Sequence, residues 1–113
     1  MSSWVLVVED YADLRNTITE ALERHAYSCA TASTSEAAVV LLNDHEYEAI
    51  LISPKLPITE DPIVHYLAEH QPETMAKVIV MADRDTPTGE CRALLEKPFT
   101  NQQLLQIIER KGS

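Results

Sequence analysis

Two adjacent carboxylates close the first apolar run of the sequence, where Trp4-Val5-Leu6-Val7-Val8 leads directly into Glu9-Asp10. A second run, Ala49-Ile50-Leu51-Ile52, delivers one small hydroxyl, Ser53, ahead of the proline-bracketed loop Pro54-Lys55-Leu56-Pro57. Near the other end, Leu94-Leu95-Glu96 runs into Lys97-Pro98-Phe99. Neighbouring carboxylates are hard oxygen donors of the kind that hold Mg²⁺. A serine hydroxyl becomes a nucleophile only when a base removes its proton; Asp10 is the candidate base, and no histidine is placed to help. A lysine ammonium supplies a counter-charge to carboxylate or phosphoryl oxygens.

For these groups to act together, the chain must carry them to one place. Trp4 to Val8 is continuously apolar and β-branched, as a strand buried on both faces should be. Leu14, Ile18, Ala21 and Leu22 then recur at helical spacing through about His25. Tyr27 to Ala32 reads as a second strand. Ser33 with Glu36 three residues on is a capping-box signature for a helix through Ala37, Val40 and Leu41 to about Asn43. After the third strand, Ala49 to Ile52, Asp61-Pro62 supplies a cap and a first-turn proline for a helix that turns Ile63 and Leu67 inward and stops near Gln71-Pro72. Lys77 to Met81 is a fourth strand and Leu94-Leu95 a short fifth. Thr100 with Gln103 is another capping box, for a last helix with Leu104, Leu105, Ile107 and Ile108 on its apolar face.

Strands alternating with helices predict an α/β fold, a single domain over 1–113 with a parallel sheet between two helical layers. Five strands in the flavodoxin-like order 2-1-3-4-5 form a crevice between the ends of strands 1 and 3. Glu9, Asp10 and Ser53 open into it.

Composition narrows the function. The net charge is −9 with nine Lys and Arg, so a phosphate backbone is repelled and nucleic-acid binding is not expected. No apolar run approaches the roughly 20 residues that cross a bilayer, and nothing N-terminal reads as a signal peptide; a soluble, cytoplasmic protein without membrane contact is expected. Cys29 and Cys91 form no C-x-x-C pair and read as small core residues.

With strand ends and order in place, the sequence resembles the receiver domain of two-component response regulators. The resemblance covers essentially the whole chain and is carried by V-L-V-V-E-D, L-I-S-P-K-L-P and L-L-E-K-P-F. It implies a signalling module in a phosphorelay, not an enzyme. In the family the acidic pair helps hold a divalent cation, and an aspartate ending strand 3 accepts a phosphoryl group. A hydroxyl after strand 4 serves the conformational switch, and a lysine pairs with the phosphoryl charge. Glu9 and Asp10 match the acidic pair and Lys97 the lysine. The acceptor position is Ser53, and the switch position is Ala82, which has no hydroxyl. From Ala82 to Lys97 the chain is about seven residues shorter than the family's pattern, or about two helical turns. The family's fourth helix is therefore expected to be missing or reduced to a turn.

These departures describe an atypical, phosphorylation-independent receiver. Serine is a poor substitute for the acceptor, and Pro54 removes a backbone N–H from the loop. Ser53 is expected to bond to loop backbone or to Asp10. Without a third carboxylate, no cofactor is expected and Mg²⁺ affinity through Glu9 and Asp10 should be weak. Lys55 or Lys97 is a candidate to sit between the two carboxylates in place of metal; the alternative for Lys55 is a solvated side chain. The alternative functions are a Ser53 phosphorylated by a serine kinase, or a crevice that binds a phosphorylated ligand. A flavodoxin-like enzyme or flavin carrier fits less well, for lack of a Gly-rich phosphate loop. Protein partners are expected: a histidine kinase, an output domain or another receiver. Strand 5 and the last helix, with Leu94, Phe99 and Leu105, are the candidate contact surface; the sequence leaves the oligomeric state open.

Overall fold

The N-terminal apolar run forms β1 (Ser3–Val8), in which Val5, Leu6, Val7 and Val8 are all buried. Its position explains that composition: in a computed structural model, which describes residues 3–109, β1 lies between β2 (Tyr27–Ala32) and β3 (Tyr47–Ile52). The sheet continues through β4 (Val78–Ala82) to β5 (Ala93–Glu96), giving the parallel order 2-1-3-4-5. Among the described residues, four α-helices connect or follow the strands: α1 (Ala12–Arg24), α2 (Ser35–Leu41), α3 (Pro62–His70) and α4 (Asn101–Glu109). Short 3-10 turns occupy Ile58–Glu60 and Pro72–Lys77.

Period-two alternation divides the strand side chains between two cores. Val5, Val7, Leu51, Ile79 and Met81 pack under Ile18 and Leu22 of α1 and Leu104 and Ile108 of α4. Leu6, Val8, Ile50, Ile52 and Val78 pack under Ala38, Leu42, Ile63 and Leu67 on the side of α2 and α3.

Two of the predicted caps form. The Asp61 carboxylate accepts from Ile63 N at 2.8 Å at the start of α3. Thr100 and Gln103 bond reciprocally, each backbone N–H donating to the other's side chain at 2.8 and 3.1 Å. The third is displaced by one residue. Thr34, not Ser33, caps α2, its hydroxyl accepting from Ala37 N at 3.1 Å. Thr34 leaves β2 in an extended conformation that aims its oxygen at the first turn, which is what an N-cap requires. The buried arc shifts accordingly, with Ala38 and Leu42 inside while Val40 is 73% exposed. Between β4 and β5 the described residues hold turns and no helix, as the shortened segment predicts.

Candidate functional site

The sheet itself aligns three of the polar strand-end residues. Glu9, Ser53 and Lys97 each follow a strand directly, and each backbone N–H still donates into the ladder. Glu9 N bonds Ala32 O at 3.0 Å, Ser53 N bonds Val8 O at 3.0 Å, and Lys97 N bonds Ala82 O at 2.9 Å. The positions are fixed by the same hydrogen bonds that hold the sheet, at the strand ends where α/β sheets bind ligands.

Their side chains converge on one oxygen. Glu9 is 2% exposed, and its Oε1 accepts from Ser53 Oγ at 2.5 Å and from Lys97 Nζ at 3.1 Å. Oε2 accepts from Tyr11 N at 3.0 Å. Arg15, one turn into α1, donates to Glu9 O at 2.8 Å and fixes the backbone behind the carboxylate. A buried carboxylate is tolerable when it is paired and hydrogen-bonded, and Glu9 is both. Ser53 thus bonds to Glu9, not to loop backbone or Asp10 as its position in sequence led us to expect. The correction is one of direction: Asp10 turns outward, so Glu9 is the carboxylate within the hydroxyl's reach.

Asp10 belongs to a separate pair at the rim. Its carboxylate lies 3.3 Å from Lys55 Nζ, and both side chains are at least half exposed. The Lys55 ammonium in contact with the Asp10 carboxylate favours its charged form. Neither lysine sits between the two carboxylates; each carboxylate has its own.

The crevice above these groups has a volume of about 350 Å³ and extends from Ser53 and Lys55 to Thr34 and Asp61. Asp61 is 3% exposed and accepts from Ser35 Oγ at 2.9 Å, tying the start of α2 to the start of α3. Sequence reasoning found Asp61 as a cap but not as a crevice wall, and it missed Arg15 entirely; an arginine in a first helical turn carries no signal of such a bond. Ala82 offers the site only its backbone carbonyl.

These residues do not fit a divalent cation. The inner carboxylate already accepts three hydrogen bonds, two ammonium groups flank the pair, and among the described residues no group of three His, Cys, Asp or Glu is placed around a common point. Thiol chemistry is also disfavoured. Burial pushes both Cys29 and Cys91 up to about 11, so both are protonated at neutral pH.

Strand order, helical layers and the position of the crevice define the receiver fold of two-component response regulators. The chain is similar to a response-regulator signal receiver domain from Bermanella marisrubri, at 24% identity over all of both chains with a TM-score of 0.82. It is similar to the receiver domain of a sensor histidine kinase from Pseudomonas aeruginosa, a structure with magnesium coordinated in its active-site cleft, at 21% identity over 98% of each chain and a TM-score of 0.80. An orphan response regulator of Helicobacter pylori matches at 20% identity over 99% of this chain and 98% of its own, with a TM-score of 0.79. No protein-family model matches the sequence, and no curated protein matches it. What is shared at these identities is the fold.

Proposed function

We propose that this chain is an atypical receiver domain in two-component signalling that acts through protein contacts without accepting a phosphoryl group at the end of β3. The single observation that carries the reading is Glu9 Oε1, bonded at once by Ser53 and Lys97. The hydroxyl in the acceptor's place and the lysine suited to a phosphoryl group are both occupied by a carboxylate the protein already owns. In the Pseudomonas aeruginosa receiver domain the cleft holds magnesium; here two lysines supply the positive charge beside the acidic pair.

Phosphorylation of Ser53 fits this geometry poorly, because the phosphate would be set against the buried Glu9 carboxylate. Of the contact surface expected from the sequence, Phe99 and Leu105 are half-buried and pack partly against the core beneath α1 and α4, while half-buried Leu94 lines a groove beside α4.

The test is an amide NMR spectrum recorded with Mg²⁺ and either acetyl phosphate or beryllofluoride. The spectrum is expected to stay as it is without them. Shifts centred on Glu9, Asp10 and Ser53 would overturn the proposal.

A further inference from the structure

On the α2–α3 side of the sheet, the described residues include no α-helix beyond those two, only the short 3-10 turns, and the connection from β4 to β5 crosses as turns. Beside α3 this leaves a groove of about 360 Å³. Ile58 and Met75, both buried, form its apolar base with half-buried Val64, and exposed Ala68 extends it along α3. The opposite wall is the turn from Thr88 to Cys91. That wall is a closed turn: Cys91 N donates to Thr88 O at 3.0 Å, and Gly89 has φ +57°, a left-handed backbone that glycine adopts without strain.

The rim has one sign. Glu69 and Glu90 are exposed and line the groove, while none of its described lining residues is Lys or Arg. His65, also in the lining, turns its Nε2 to Thr59 O at 2.9 Å. Size and setting favour a helix over an extended strand. The groove runs beside a nine-residue helix, about 13 Å long, in a layer where helices pack about 8–10 Å apart. Its walls are side chains and a closed turn, so no sheet edge is offered for β-addition.

We propose that this groove is a docking site for an amphipathic helix of a partner protein, about two turns of which insert, with basic residues flanking the apolar stripe. The partner's helix takes the place in the layer that this chain leaves open. The inference rests on the reading of the domain as a protein-contact module, and the two fail separately. The phosphoryl-mimic experiment reports on Glu9, Asp10 and Ser53, whereas this one reports on α3 and the Thr88–Cys91 turn.

The probes are two synthetic helical peptides of about 15 residues with Leu at i, i+3, i+4 and i+7, one carrying Lys beside the stripe and the other Glu. Added to the isotope-labelled chain, the Lys peptide is expected to shift the amides of Val64, Ala68, Thr88 and Cys91. It should bind at least about tenfold more tightly than the Glu peptide at low salt, with the gap closing as salt rises. Reversing the rim with E69K and E90K should invert the preference, and Ala68→Arg, at an exposed position, should abolish binding of the Lys peptide. The remaining amide shifts verify folding, and the rim reversal tests the idea even if Ala68→Arg does not fold. No shift with either peptide, equal affinity for both, shifts that map elsewhere, or a self-associated chain with the groove covered by a second copy would each overturn the proposal.

Discussion

Glu9 is the residue on which the crevice depends. Its carboxylate is 2% exposed, while its partner Lys97 keeps 31% of its side chain in solvent. Removing one member of a buried pair strands the other charge in a low dielectric, which costs more than the pair itself contributes. Lys97→Met should therefore destabilise the fold by about 3 kcal/mol, the lower end of the range for breaking a buried pair. Glu9→Gln combined with Lys97→Met removes both charges and should recover most of that loss. A urea-denaturation cycle over the two single variants and the double checks this, and simple additivity of the two losses would show that the ion pair is not what holds Lys97 there. The sequence made these residues visible as strand ends, because strand periodicity and the acidic pair are local features. Their pairing was not visible: Glu9 and Lys97 are 88 residues apart, and Ser53 and Glu9 are 44 apart. Which oxygen meets which donor follows from the sheet order and from the outward turn of Asp10.

The elements show the same division between local and long-range information. The cap of α3 was legible because Asp61-Pro62 satisfies the first turn with adjacent residues, whereas α2 offered two neighbouring hydroxyls, and the exit from β2 selected Thr34. The missing helix between β4 and β5 was legible from the length of the segment. The end of α1 holds something the sequence concealed. Ala26 has φ 68°, a left-handed conformation in which its N–H and that of His25 satisfy the carbonyls of Glu23 and Leu22. Glycine is the residue such a position favours, because a Cβ there crowds the backbone. Ala26→Gly should accordingly stabilise the domain by about 1 kcal/mol, strain relief at Ala26 outweighing the added freedom of the unfolded chain. A higher urea midpoint with an unchanged slope is the expected result. A lower midpoint would mean that the added freedom of the unfolded chain outweighs the strain relieved at this exposed position.

For the molecule as a whole, the distribution of charge matters as much as the fold. The net charge is −9, and several of the few cations are turned inward. Arg15 bonds Glu9 O, Arg92 Nη2 bonds the carbonyls of Ile107 and Ile108 at 2.9 and 3.1 Å, and Lys97 serves Glu9. Bonds to carbonyls leave the acidic surface uncompensated, and exposed pairs such as Arg24–Glu20 and Arg84–Glu96 add little. Self-repulsion among surface carboxylates should then oppose folding, and it falls as the Debye length shrinks from ~30 Å at ~0.01 M salt to about 8 Å at ~0.15 M. Added NaCl should raise the thermal midpoint over that range at pH 7, although it weakens the Lys55–Asp10 pair. The same screening weakens attraction between the Glu69–Glu90 rim and a basic helix, so salt should move stability and docking in opposite directions. A thermal midpoint that falls with NaCl would show that the surface ion pairs outweigh the repulsion, and the balance of charge assigned to this fold would have to be reversed.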